Sequence, residues 1–303
     1  MIVPPSLKEG DIIGVVTPSG KLNEGALDRA QELFSGWGLD VVTGQHVYSS
    51  FNQFGGSDRE RASDFQQMLD DIDIRAVICS RGGYGTVRII DRIDFSRFLA
   101  HPKWIVGYSD ITVLHSHINT NFSIETIHAA MAADLAKEPA VLERSMELLK
   151  EALFGTIPAY YLPNHPFSRK GKAEGIITGG NLSVLYSLLG SDSEVDTTGR
   201  ILFLEDVGEY LYHIDRMMMA LKRSEILENI AGLVVGGMTG MNDNKVPFGK
   251  TAEEIIAEAV EDYDYPVLFG FPAGHQPENN PLVMGRYVTV SVGENASSLV
   301  FGI

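Results

Sequence analysis

Short apolar runs alternate with amphipathic stretches along the first half of the chain, and this alternation limits the folds open to it. Segments 11–16, 76–79 and 104–107 have the length and composition of buried strands, and segment 58–70 has apolar residues at helical spacing. Strands separated by helices predict a parallel sheet that is covered on both faces. The sequence therefore predicts an α/β fold with a flavodoxin-like parallel sheet in its N-terminal domain.

The second half of the chain repeats this alternation after a polar segment that contains prolines and a Lys-Gly pair. Such a composition is typical of a linker, so residues 161–172 are predicted to join two domains. The predicted N-terminal domain, residues 1–160, contains the start of a helix at 85–90 and a longer helix from residue 137 to residue 154. Residues 173–303 are predicted to form a second α/β domain.

Composition excludes several classes of function. The 303 residues carry a formal net charge of −16, which argues against binding to nucleic acid or to an anionic membrane surface. A single cysteine, Cys79, rules out an intrachain disulfide and fits a reducing compartment. The N-terminal residues lack the features of a signal peptide, and no apolar run approaches the roughly 20 residues that span a bilayer. We therefore expect a cytoplasmic protein.

One serine lies where a strand is expected to turn sharply into a helix. The strand 104–107 is followed by Ser109, and a helix is expected to begin near Ile111. A turn of this kind exposes the serine hydroxyl above the sheet, and the N–H groups of the helix can bind a developing oxyanion. Gly107 would allow close backbone approach at the turn. The alternative is that Ser109 and Asp110 simply cap the helix.

Two later strands end in the other residues that a serine nucleophile needs. One apolar strand ends in Glu205 and Asp206, and another ends in a Gly-rich turn with His275. An imidazole can accept the serine proton and return it to a leaving group, and a carboxylate can orient the imidazole. On composition alone, either carboxylate fits this role. His275 could instead be a turn histidine bonded to backbone.

These strand ends resemble the signatures of the LD-carboxypeptidases, a family of serine peptidases that includes muropeptide carboxypeptidases and microcin C self-immunity proteins. The resemblance covers nearly the whole chain and lies in these segments: Pro4–Ser19, Ser80–Gly85, Gly107–Asp110, Gly179–Leu182, Leu204–Asp206, Ile214–Arg216 and Gly274–His275. Two segments depart from the family pattern. Ile127–Ala130 stands where the family often has His-Gly-Pro, and 276–280 is an unusual version of the segment after the histidine.

The resemblance implies a role for each of these residues. Ser109 would be the nucleophile, His275 the base and acid, and Glu205 the orienting carboxylate. The N–H groups of Gly83 and Asp110 would form the oxyanion hole, although Gly83 lies in a glycine cluster that could be an ordinary tight turn. Substrate contacts are implied for four residues: Gly82, Tyr84, Asn181 and Glu209. The implied reaction removes the terminal D-Ala from a murein tetrapeptide, and the implied assembly is a homodimer.

No cofactor and no metal are expected. His115 and His117 are two positions apart, so they do not face each other on a helix. Cys79, at the end of an apolar strand, is more typical of a small buried side chain than of a nucleophile.

Two rival functions remain open at this stage. A microcin-immunity peptidase would cleave an aminoacyl-nucleotide and would need an aromatic platform for the base. Both tryptophans, Trp37 and Trp104, fall in the predicted N-terminal domain, and tyrosines could take their place. The second rival is a non-catalytic binding protein with a flavodoxin-like plan.

Overall fold

Two β-sheets organise the fold in the computed structural model, which describes residues 1–136 and 139–302. The first half of the chain supplies five strands to one sheet: β1 (Ile12–Val16), β2 (Asp40–Thr43), β3 (Ile74–Cys79), β4 (Trp104–Gly107) and β5 (Thr126–His128). Five helices accompany them: α1 (Asp28–Gly36), α2 (Asp58–Asp70), α3 (Ser96–Ala100), α4 (Thr112–Phe122) and α5 (Pro139–Leu153).

The first sheet confirms the flavodoxin-like prediction. Its parallel strands follow the order β2-β1-β3-β4-β5. In this order the loops after β1, β3 and β4 lie together at the carboxyl edge of the sheet, next to the point where the strand order reverses. A strand from the second half, β11 (Leu282–Met284), adds to β5 in antiparallel orientation. The first sheet therefore contains strands from both halves of the chain.

The second sheet is mixed. It is built from seven strands: β6 (Tyr160–Pro163), β7 (Gly171–Asn181), β8 (Ile201–Val207), β9 (Gly232–Thr239), β10 (Val267–Phe269), β12 (Tyr287–Val292) and β13 (Ala296–Phe301). Their order is β10-β9-β8-β7-β12-β13-β6, and β7 joins a parallel half to an antiparallel half. Three helices belong to this half of the chain: α6 (Leu182–Ser187), α7 (Leu211–Arg223) and α8 (Ala252–Ala259).

Some predicted elements differ from the structure. The segment predicted as a linker starts within β6, which pairs with β13, and ends within β7, which begins at Gly171, so both of its ends belong to the second sheet. The predicted domain limits stay a prediction. Residues 85–90 form 3-10 turns instead of an α-helix, because their backbone bonds span three residues. The helix predicted from 137 is observed from Pro139, and residues 137 and 138 lie outside the described part.

The two sheets meet where α4 packs against the end of β7. The hydroxyl of Thr112 accepts a hydrogen bond from the backbone N–H of Asn181 at 3.0 Å. Gly180 makes this approach possible, because a Cβ there would lie 2.5 Å from Thr112 Oγ1. The close contact brings the carboxyl ends of β4, β7 and β8 to one place, where the residues with candidate chemistry lie.

Candidate active site

Ser109 lies on a strained turn between β4 and α4. Its φ is 64°, in the left-handed region that side chains other than glycine rarely adopt. Gly107 allows the turn, since a Cβ at that position would approach Ile111 Cγ1 to 2.9 Å. No side-chain cap is formed at the start of α4, so the interpretation of Ser109 and Asp110 as a helix cap is wrong. The turn instead points the serine hydroxyl toward the second half of the chain.

His275 connects Ser109 to Glu205. Its Nε2 lies 3.1 Å from Ser109 Oγ, and its Nδ1 lies 2.8 Å from Glu205 Oε2. The backbone N–H of His275 donates to the same carboxylate oxygen at 3.1 Å. With Nδ1 donating to the carboxylate, Nε2 is left free to accept the serine proton. Gly274 fits this arrangement, because its φ is 98° and a Cβ would lie 2.6 Å from Glu205 Oε2.

The two adjacent carboxylates of β8 have different partners. Glu205 contacts His275, whereas Asp206 accepts hydrogen bonds from Asn181 Nδ2 at 3.0 Å and from the N–H of Ser183 at 2.9 Å. Burial, together with the charge of Glu205, raises the pKa of Asp206 to about 6. The composition left the two carboxylates equivalent, and their positions distinguish them.

A cleft of about 280 Å³ opens beside Ser109. Its lining includes most of the residues for which the sequence suggested oxyanion or substrate contacts, namely Gly83, Tyr84, Asp110, Asn181 and Glu209. Gly82 is not among the lining residues. It lies beneath the nucleophile, where a Cβ would come within 2.8 Å of Ser109 Oγ. The structure therefore brings the predicted residues to one site.

Two of the predicted substrate contacts already have partners within the protein. The Asn181 amide caps α6 by accepting from the N–H of Val184, and it donates to Asp206. Glu209 Oε2 lies 2.6 Å from His213 Nδ1. Both residues nevertheless line the cleft.

Sequence reasoning missed two residues of the site. The ring of Tyr108 lies 4.8 Å from that of His275, centroid to centroid, and helps to bury the imidazole. Ser183 lines the cleft, next to Asp206, which the sequence had offered only as an alternative to Glu205. Tyr108 directly precedes Ser109, and Ser183 follows Asn181 by two residues. Their closeness in the sequence to these recognised residues was the only signal available.

Comparisons with known proteins identify the family of the chain. Sequence profiles described as the LD-carboxypeptidase N-terminal domain and the LD-carboxypeptidase C-terminal domain match residues 13–129 and 174–290. The chain belongs to the LD-carboxypeptidase family. It is 34% identical to the probable murein peptide carboxypeptidase of Bacillus subtilis, over 99% of this chain and 95% of that protein. Membership of this peptidase family identifies the chain as a hydrolase.

Solved structures of the family have the same fold. The muramoyltetrapeptide carboxypeptidase from Oxalobacter formigenes matches with a TM-score of 0.86 and 24% identity, over 96% of this chain and 99% of the other. The microcin C7 self-immunity protein in complex with aspartyl sulfamoyl adenosine matches with a TM-score of 0.88 and 21% identity, over 99% and 98%. These two matches establish that the chain shares the two-domain fold of both structures.

Two opposing effects set the pKa of His275 in this LD-carboxypeptidase fold. Burial lowers the pKa, whereas the hydrogen bond and charge of Glu205, with smaller effects of Asp206 and Asp134, raise it. The raising effects are larger, and the pKa of His275 lies above its ordinary value. The neutral imidazole is therefore the main form of His275 only at a pH above the ordinary pKa of histidine.

This balance predicts the acid side of the pH profile. A base must be neutral, so kcat/KM is expected to fall as His275 is protonated, with its midpoint above about pH 6.5. Glu205→Gln removes the charge that raises the pKa and leaves the burial that lowers it, so the midpoint is expected to move to lower pH. Initial rates of both proteins between about pH 5 and 9 would test this. An unchanged midpoint in the variant would contradict it.

The other candidates from the sequence lie in ordinary structural environments. Cys79 is fully buried at the end of β3, and burial raises the pKa of its thiol, which disfavours the reactive thiolate. His115 is buried and bonded to Thr126 and to the carbonyl of Gly107, while His117 contacts Ser193. Within residues 1–136 and 139–302 no three His, Cys, Asp or Glu side chains form a group that could hold a metal ion.

Activity is expected to be unchanged by chelators. A serine nucleophile with a histidine base needs no Lewis acid to react. Hydrolysis would be measured before and after dialysis against EDTA, with a zinc peptidase treated in parallel as a control. Loss of activity that is restored by Zn²⁺ would contradict this prediction.

No helix in the described part of the chain is long and apolar enough to cross a membrane.

Proposed function

We propose that Ser109, His275 and Glu205 form the catalytic triad of a serine-type LD-carboxypeptidase. The observation that carries the proposal is the position of His275, within 3.1 Å of Ser109 Oγ and 2.8 Å of Glu205 Oε2. Three residues from separate strand ends form one hydrogen-bonded chain, which is the arrangement that activates a serine. A non-catalytic binding protein would have no need of this chain or of the strained turn at Ser109.

The reaction follows from these positions. Ser109 Oγ attacks the scissile carbonyl carbon while His275 Nε2 takes its proton, and the carbonyl oxygen becomes an oxyanion. The N–H groups of Gly83 and Asp110 bind this oxyanion. This role is supported by the position of both residues, which line the same cleft as Ser109. His275 then protonates the leaving amine, and water, deprotonated by the same imidazole, releases the acyl group. Glu205 stabilises the imidazolium formed in each half-reaction.

The substrate that we propose is a murein tetrapeptide, cleaved at the L,D-amide bond before its terminal D-Ala. Support comes from the named activity of the relatives and from the charge of the cleft. Its lining contains Asp206 and Glu209, and none of the described lining residues is Lys or Arg. The free end of a diamino acid bears an ammonium group, which these carboxylates would attract. Gly82, Tyr84 and Asn181 would complete the binding surface.

Hydrolysis of defined peptides tests this proposal. We expect release of D-Ala from the tetrapeptide, little release from an analogue ending in L-Ala, and no attack on the D,D-bond of the pentapeptide. Each buried polar group left unpaired by a wrong substrate costs about 1–3 kcal/mol, which is enough for clear selectivity. Released alanine would be quantified enantiomer by enantiomer.

The competing outcome is faster cleavage of an aminoacyl-sulfamoyl adenosine than of any tetrapeptide, which would support the microcin-immunity function. Both tryptophans are buried, and among the described residues that line the cleft there is no tryptophan to stack on a base. Tyr84 is the half-exposed aromatic residue at the rim. We therefore favour the murein peptide.

We propose further that the protein is a cytoplasmic homodimer. The dimer rests on the family resemblance, and the location rests on the single cysteine and on a substrate that arises in cell-wall recycling. Light scattering after size exclusion would measure the mass of the assembly, and cell fractionation would test the location. A monomer at micromolar concentration would contradict the first part.

A further inference from the structure

Three loops at the carboxyl edge of the first sheet meet at one buried carboxylate. Asp110 Oδ2 accepts a hydrogen bond from Ser19 Oγ at 2.6 Å and another from the backbone N–H of Thr86 at 2.8 Å. Ser19 follows β1, Thr86 follows β3 and Asp110 follows β4. All three side chains are buried, so these bonds form away from bulk water, where charge-assisted hydrogen bonds are strong.

Ser19 has a second partner in this network. Its Oγ lies 2.8 Å from Thr86 Oγ1. Because Ser19 donates its proton to Asp110, the hydroxyl of Thr86 must donate to Ser19. The adjacent backbone extends the connection, as the N–H of Gly20 donates to the carbonyl of Gly82 at 3.2 Å. The loop after β1 therefore holds the loop after β3 through both side-chain and backbone bonds.

The network joins the two segments that carry the proposed oxyanion donors. One donor is the N–H of Asp110, whose own side chain makes the central bonds. The other is the N–H of Gly83, three residues before Thr86 in the same short loop. One carboxylate oxygen thus links the two segments directly, and Ser19 braces the link. Oxyanion donors act only when their spacing matches the transition state, so a fixed link between them affects the rate of the chemical step.

We propose that Ser19 and the side chain of Asp110 are positioning residues that set the spacing of the oxyanion donors and hold the strained turn of Ser109. The inference rests on the proposed function only in taking Gly83 and Asp110 as the donors. It gives a role to Ser19 and Gly20 of the loop after β1, which contribute nothing to the hydrogen-bonded chain of Ser109, His275 and Glu205.

Ser19→Ala is the main test, and Ser80→Ala is its matched control. Ser80 is a buried serine at the start of the loop after β3, and its Oγ makes a 2.8 Å bond to Thr17 that does not reach Asp110. We expect Ser19→Ala to lower kcat by about 10- to 100-fold with little change in KM, because removing one oxyanion donor outright costs about 10²- to 10³-fold. The Ser80→Ala variant should keep its activity at a similar melting temperature.

A second pair of variants separates hydrogen bonding from mere packing. Asp110→Asn keeps a carbonyl oxygen that can accept both bonds, whereas Asp110→Ala removes it. We expect Asp110→Ala to lose at least about 10-fold more kcat than Asp110→Asn. The acid limb of the pH profile should stay in place in Ser19→Ala, because the network does not contact His275.

The rate at which a fluorophosphonate labels Ser109 provides a readout that needs no peptide substrate. Slower labelling of Ser19→Ala than of Ser80→Ala would support the inference even if the peptide specificity proposed above proved wrong. Equal losses in the two serine variants, a change confined to KM, or equal losses in Asp110→Asn and Asp110→Ala would overturn it. Failure of the unchanged protein to label at Ser109 would overturn the proposed nucleophile and the inference together.

Discussion

Ser109→Ala and His275→Ala are each expected to lower kcat by about 10³-fold or more while the protein still folds. The first removes the attacking oxygen, and the second removes the group 3.1 Å away that accepts its proton. Since the two act as one unit, the double variant should be little worse than either single variant. Steady-state rates on the tetrapeptide would measure all three.

Ser183→Ala is a matched control for the nucleophile, because Ser183 lines the same cleft and lies outside the hydrogen-bonded chain of His275. Its activity should stay close to that of the unchanged protein. Thermal unfolding of every variant would separate loss of chemistry from loss of fold. Losses that multiply in the double variant would show that the two residues act independently, which would remove the basis for the proposed triad.

Glu205→Gln and Asp206→Asn form the second test, with nearly isosteric changes at adjacent positions. Glu205 Oε2 accepts from both the backbone N–H and the Nδ1 of His275, so a neutral amide loses the charge that stabilises the imidazolium. We expect kcat to fall by about 10³-fold or more, as is typical when the triad acid is neutralised.

Asp206→Asn should have a mild effect on kcat and a clear effect on stability. Asp206 uses both oxygens to accept bonds from Asn181, Ser183 and Val207, so an amide NH₂ would face one of these donors. An unmet buried donor costs about 1–3 kcal/mol of folding free energy. Chemical denaturation would measure this cost beside kcat. A severe loss of kcat in Asp206→Asn with a mild loss in Glu205→Gln would transfer the acid role to Asp206.

The local sequence pattern determined much of the fold of this protein. Alternating strands and helices were enough to predict the parallel sheet, because hydrophobic periodicity depends on near neighbours in the chain. The same pattern placed Ser109 and His275 just beyond strand ends and Glu205 at the end of a strand, which in the structure continues to Val207. Glu205 lies in a strand of the second sheet and His275 follows another, whereas Ser109 follows a strand of the first, so a common site also required the two sheets to meet, which local periodicity does not predict.

Local pattern left open which carboxylate meets the histidine, and the tertiary structure shows that it is Glu205, as the family resemblance implied. The pairing of β8 with β9 shifts register between Leu204 and Asp206, so the direction of Glu205 depends on an irregularity that sequence periodicity does not encode. Long-range pairing also placed β11 in the first sheet and β6 in the second.

The bonds of Asp110 show the same limit in the active site. Ser19 and Asp110 are 91 positions apart, and nothing in the residues around either one indicates the other. Local periodicity in the sequence determines where the strands end. Which side chains meet at those ends depends on register, turn geometry and packing between segments that are distant in the chain.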